Sequence, residues 1–269
     1  MNIPMDVLKI IASYIVRERT KLLDWIPENK IDWYYLSKNP NAVFILETRT
    51  NKIDWYILSK NPNMLHILER RMGKIHWGYL SGNPNGTYLL ENNIDKIDWE
   101  QLSENPNAID ILEAYPSKIY WMELSKNPNA IHLLEANPSK IYWTSLSENP
   151  NAIHLLEANQ DKINWKILSS NPNAIKLLEA NQDKIVWSRL SLNPNAIHLL
   201  KANIKKISFG YLIQNPNAID LIKILCEKKY PPRCDILYAN PSIFQPDNVQ
   251  TQAHIKFTAK KLDKIIAKN

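Results

Sequence analysis

Four histidines, His66, His132, His154 and His198, sit at spacings that are multiples of 22 residues. Histidine is a common metal ligand, so a metal site is the first chemistry to test. Two ligands of one zinc ion must each reach it at about 2 Å. Residues one repeat apart lie about one helix diameter, roughly 10 Å, from each other. The four rings therefore do not converge, and they read as solvated or partly buried side chains. Serines recur on the same period from Ser37 to Ser191, and a catalytic nucleophile is not needed eight times over. A lysine opens each repeat, and Glu47, Glu69, Glu91, Glu113, Glu135, Glu157 and Glu179 form an acidic column. Surface ion pairs of about 0–1 kcal/mol each account for these columns better than a ligand track does. There is no Gly-rich phosphate loop, nucleophile elbow or HExxH motif. No catalytic residue, metal ligand or cofactor is expected, and the chain reads as a non-enzyme.

The period behind these columns is the dominant feature. Trp33, Trp55, Trp77, Trp99, Trp121, Trp143, Trp165 and Trp187 stand 22 residues apart, and Phe209 takes the ninth place. Nine units run from Lys30 to Glu227 without an insertion or deletion. Loops tolerate length changes at little entropic cost. A register this strict therefore implies that each residue of the unit, turns included, is held against its neighbour. In the unit that opens at Lys118 the fixed residues are Lys118, Ile119, Trp121, Leu124, Ser125, Asn127, Pro128 and Asn129, at unit positions 1, 2, 4, 7, 8, 10, 11 and 12. Positions 3, 5, 6, 9 and 15 vary.

Each unit reads as two short helices. In "NPNAIHLLEAN", Asn127 is placed as N-cap with Pro128 at the first helical position. Ala130, Ile131, Leu133 and Leu134 give one apolar face. Asn137-Pro138 ends the helix, since Asn tolerates the left-handed conformation and Pro disfavours helix before it. In the other half, "KIYWMELS", position 3 supplies N-caps at Asp32, Asp54, Asp98, Asn164 and Ser208. Of the two asparagine columns, one caps and the other is expected to bond backbone groups of the loop or of the adjacent unit. A 22-residue unit cannot bury both helices alone. The expected fold is all-α, an α-solenoid of about nine 22-residue units, two short helices per unit, capped at both ends. The Trp column is its expected spine, with each ring contributing up to about 4–6 kcal/mol. On that reading Trp121→Ala costs about 3–5 kcal/mol.

The ends of the chain depart from the repeat. Residues 1–29 open as an amphipathic helix and read as an N-terminal cap. Residues 228–244 contain "LYANPSIF", a degenerate tenth unit three residues out of phase. Residues 245–269 read as a basic C-terminal capping helix. Its apolar stripe is Ile255, Ala259, Leu262 and Ile266, with Lys256, Lys260, Lys261, Lys264 and Lys268 around it. Residues 1–200 hold 21 Lys and Arg against 22 Asp and Glu, net −1; residues 201–269 hold 12 against 5, net +7. Basic character thus belongs to the C-terminal end, so nucleic acid is expected there if anywhere. Cys226 and Cys234 are too few for a disulfide framework. With no signal peptide and no apolar run of 18 residues, a soluble intracellular monomer without membrane contact is expected.

Fixed positions are committed to packing, so a partner must be read by the variable ones. Positions 5 and 6 of the early units include Tyr34, Tyr35, Tyr56, Ile57 and Tyr79, and position 3 further on holds Tyr120 and Tyr142. Aromatic residues on a face otherwise free to vary suit a protein-binding surface.

The phrase "KIDWEQLSENPNAIDILEA" resembles tandem-repeat proteins of large nucleocytoplasmic DNA viruses, in which "LSxNPNAIxLLExN" follows "KIxW". The resemblance implies a viral protein acting in the host cytoplasm or the virion. "IPMDVLKIIASYI" is similar to the first helix of an F-box, although the repeat begins too early to leave room for a complete three-helix box. The functional expectation is a protein-interaction scaffold with an unidentified protein partner. The alternatives are a nucleic-acid-binding helical array and an F-box-like adaptor recruiting a ubiquitin ligase.

Overall fold

The computed structural model describes residues 7–8, 12, 19–228 and 235–266. The repeat is an all-α solenoid of short helices. In the unit that opens at Lys118 the two helices are Trp121–Leu124 and Ile131–Ala136, and a single 3-10 turn, Pro138–Lys140, leads into the next unit. Asp32, Asp54, Asp98 and Asn164 cap the first helices, each Oδ1 accepting the backbone N–H three residues on. Ser208 makes no such bond. His76 does, its Nδ1 accepting from the Tyr79 N–H at 3.3 Å.

The position-10 asparagines fix the Asn-Pro-Asn turn. Asn127 Oδ1 accepts from the Asn129 N–H at 2.9 Å, ahead of the α-helix that begins at Ile131. The helix ends differ from expectation. Among the described residues no non-glycine residue has positive φ. Asn137 has φ −134° and ψ 60°. It ends its helix through the side chain instead, with Nδ2 donating to the Leu133 carbonyl at 2.9 Å.

The Trp column is not the spine. Trp121 and the other tryptophans are half-buried, whereas Leu124, Ala130 and Leu134 are 0% exposed, as are their equivalents in most units. The reason lies in what covers each indole. Lys140 Nζ sits 4.5 Å from the centre of the Trp121 ring, and Lys162 and Lys184 lie likewise over Trp143 and Trp165. Lys96, Lys140, Lys162, Lys184 and Lys206 thus make cation–π contacts to the preceding unit, while Arg49 and Arg71 stand over Trp33 and Trp55; among the described residues no leading lysine pairs with the glutamate column. The glutamates meet position 15 of the next unit instead: His132 with Glu113 at 2.9 Å, His154 with Glu135 and His198 with Glu179 at 3.0 Å.

Buried polar groups join the units. Ser125 Oγ donates to the Trp121 carbonyl and accepts the Tyr142 N–H of the next unit at 3.1 Å. Asn149 Nδ2 reaches back to the carbonyls of Ser125 at 3.1 Å and Asn127 at 2.8 Å. Asn151 Nδ2 bonds the Pro128 carbonyl at 2.8 Å. The Asn column is buried from Asn39 to Asn240, so each unmade bond would leave a desolvated group. This explains why the Asn-Pro-Asn turn recurs in each of the nine units, and the serine from Ser37 to Ser191.

The ladder does not stop at the ends of the array. Asn240, in the tenth unit, donates to the carbonyls of Ile213 at 2.9 Å and Asn215 at 3.0 Å. Asn39, in the first unit, donates in the same way to Tyr238 at 2.9 Å and Asn240 at 2.7 Å. Asn41 Nδ2 bonds the Pro241 carbonyl at 3.0 Å, as each position-12 asparagine bonds the proline before it. Unit 1 therefore treats unit 10 as its preceding unit, and the ten units close into a ring. Where the sequence suggested two end faces to be covered by terminal helices, the end faces of the array cover each other. At this junction Tyr238 replaces the usual serine. Its burial, with the carboxylates of Asp235 and then Asp32 adding to it, raises the hydroxyl pKa, so the phenol stays protonated at neutral pH.

The terminal segments form a second unit, residues 1–29 with 243–269. Thr20–Leu22 and Phe244–Pro246 pair as a short antiparallel ribbon, with Lys21 opposite Gln245. The helix Asn248–Ile266 follows. Ala259 of its apolar stripe is buried with Leu8 and Ala12, and Ile255 and Leu262 pack against that cluster. Most of the F-box-like segment, the insertion before Asp235 and Cys234 lie outside the described residues.

Candidate functional surface

With the fixed positions occupied by packing and the ladder, positions 3, 5, 6 and 9 are left for recognition. Their placement follows from the first helix of each unit. Position 7 points into the core, positions 6, 9 and 5 follow one another around the opposite side of the helix, and position 3 precedes its first turn as the N-cap. Tyr34 is 43% exposed, Tyr56 49%, Tyr120 50% and Tyr142 52%. Tyr35 and Tyr79, at position 6, are half-buried.

The structure brings the early tyrosines into two groups. The Tyr34 and Tyr35 rings meet edge to face with centroids 5.1 Å apart. Tyr56 lies 4.4 Å from Tyr79 and 3.9 Å from His76. Position 5 of one unit thus meets position 3 of the next. On that register Tyr142 follows Met122, which is also exposed. Among the described residues Tyr120 and Tyr142 have no aromatic partner, so the six tyrosines do not form one continuous stack.

Between the two groups is a cavity of 260 Å³ lined by Lys38, Ile57, Lys60, Asn61 and Tyr79. Lys38 Nζ stands 4.2 Å from the centre of the Tyr34 ring and 5.2 Å from that of Tyr35. Lys60 Nζ reaches Gln101 Oε1 at 3.5 Å. Lys60 belongs to unit 2 and Gln101 to unit 4. Two steps of about one helix diameter would put them roughly 20 Å apart on a straight array. They meet because positions 6 and 9 line the concave side of the ring. Gly82 lies beneath the crossing, and a Cβ there would stand 3.3 Å from Lys60 Cε and 3.4 Å from Gln101 Oε1, pressing on both side-chain ends.

Sequence reasoning missed His76, Lys38 and Lys60 as members of this surface. A usable signal was present: position 9 carries Lys in two consecutive units and Gly in the third. The histidine column is explained by its glutamate partners, and among the described residues no three His, Cys, Asp or Glu side chains gather as metal ligands. EDTA is accordingly expected to leave the melting temperature unchanged; a drop of several degrees would contradict this reading of the histidines.

Compared with known proteins, the chain matches no family model, no curated protein and no solved structure. Among the described residues no helix is long and apolar enough to cross a membrane.

Proposed function

We propose that the chain is a non-enzymatic scaffold that binds a protein partner through the variable face of its repeats. One observation carries the reading. The fixed apolar residues, serines and asparagines are taken up by the core and the ladder between units, yet large aromatic residues stand exposed at positions 3 and 5. Tyrosine supplies contact area at low entropic cost and is enriched at interfaces. The same proposal places the scaffold in an infected host's cytoplasm or a virion, as the resemblance to viral repeat proteins implies.

The test replaces Tyr34, Tyr56, Tyr120 and Tyr142 together with Ser. These are the exposed members of the set; Tyr35 and Tyr79 are left in place because they are half-buried. Partner capture from infected-cell extract is expected to be lost, with helical content and melting nearly unchanged. Unchanged capture by the folded variant would refute the proposal.

A further inference from the structure

The geometry points to a more specific ligand at the cavity of units 1–3: an acidic peptide segment, with a carboxylate held between Lys38 and Lys60 and its apolar neighbour seated on Ile57 and Tyr79. This inference rests on the scaffold reading and names the chemistry of the partner.

Four features of the cavity support it. Its walls are the aliphatic stems of two lysines, one isoleucine and one tyrosine ring, with Asn61 at the edge, a lining that suits an apolar side chain. Its cations are positioned and lack a counter-charge. Lys38 is held over two aromatic rings. Lys60 has a neutral amide oxygen at 3.5 Å. Among the described residues neither ammonium pairs with a carboxylate. The charge around the concave side is also uneven. Positions 6 and 9 of units 1 and 2 carry Lys38 and Lys60 with no acid, whereas those of units 4–6 carry Glu104, Glu123 and Glu148 against Lys126. A cleft lined by one sign of charge concentrates the opposite sign, so an anion is drawn to units 1–3 and repelled from units 4–6. The absent side chain at Gly82 leaves the cavity open beside Lys60. A peptide alternating apolar and acidic residues matches both the floor and the rim.

The test uses the full chain and a fluorescent peptide of alternating Leu and Glu, read by anisotropy. Saturable binding is expected. Lys38→Gln and Lys60→Gln are each expected to weaken it roughly tenfold, as loss of a charge-assisted hydrogen bond would. The Leu–Gln analogue should bind as weakly as the peptide does to the double variant. Both lysines are exposed, so the variants should melt like the parent, which circular dichroism checks. No binding of the Leu–Glu peptide, equal binding of the Leu–Gln peptide, or unchanged affinity in the double variant would overturn the inference. So would preferential binding of a single-stranded oligonucleotide. If the peptide fails while the four-tyrosine variant still loses partner capture, this inference falls and the scaffold reading stands. If the peptide binds through the lysines while the tyrosine variant captures normally, the cavity stands and the outer rim does not.

Discussion

Leu124→Ala is expected to lower stability by about 3–5 kcal/mol, the upper part of the range for burying a cavity in place of a leucine. Leu124 is 0% exposed and sits mid-array. Trp121→Ala is expected to cost less, about 1–3 kcal/mol, although it removes more atoms. The indole is half-buried, and its outer face meets a lysine ammonium that can return to water. Urea denaturation of both variants measures the order directly. A larger loss at Trp121 would restore the tryptophan column as the spine.

Asn39→Ala is expected to be as damaging as Asn127→Ala, each losing about 2–4 kcal/mol. Asn127 Nδ2 bonds the carbonyls of Ser103 and Asn105 at 3.1 and 2.8 Å, and its Oδ1 accepts the Asn129 N–H at 2.9 Å. Asn39 makes the same three bonds, to Tyr238, Asn240 and Asn41, at 2.9, 2.7 and 2.9 Å. Both side chains are fully buried, so truncation removes three buried hydrogen bonds at either site. In an open array Asn39 would face water at the first unit, and its loss would cost no more than about 1 kcal/mol. Equal midpoint shifts in denaturant at the two sites therefore indicate a closed ladder.

Much of the architecture is legible in the sequence because it rests on local rules. The period, the two helices and the capping aspartates follow from apolar spacing and from Asp32, Asp54 and Asp98 standing just ahead of a tryptophan. The strict register does report contact between neighbouring units, through Ser125, Asn127 and Asn129. What a linear reading misses is non-local. The motif "ANPS" at residues 239–242 marks a tenth unit, but nothing in it says that Asn39 will donate to its backbone, because that depends on curvature summed over all the units. The pairing of lysine with glutamate failed for a similar reason. Opposite charges on one period suggest each other, yet the indole face lies nearer to Lys140 and the histidine nearer to Glu113. At the candidate surface the tyrosines stood out as aromatic residues at variable positions. Lys38, Lys60 and Gln101 did not, since only the concave bend brings side chains two units apart together.

Closure of the ring is tested most directly by a distance between the first and tenth units. Spin labels at Tyr34→Cys and Asp235→Cys, in a chain with Cys226 and Cys234 replaced by Ser, occupy position 5 of units 1 and 10. A control pair, Met122→Cys and Thr144→Cys, occupies the same position in adjacent units 5 and 6. All four positions are exposed. In a closed ring, dipolar EPR gives both pairs the same short distance, one unit step of about 10 Å plus the reach of the labels. An open array of the same units would separate Tyr34 from Asp235 by up to nine such steps, roughly 90 Å. A distance for that pair several times that of the control would contradict the ring.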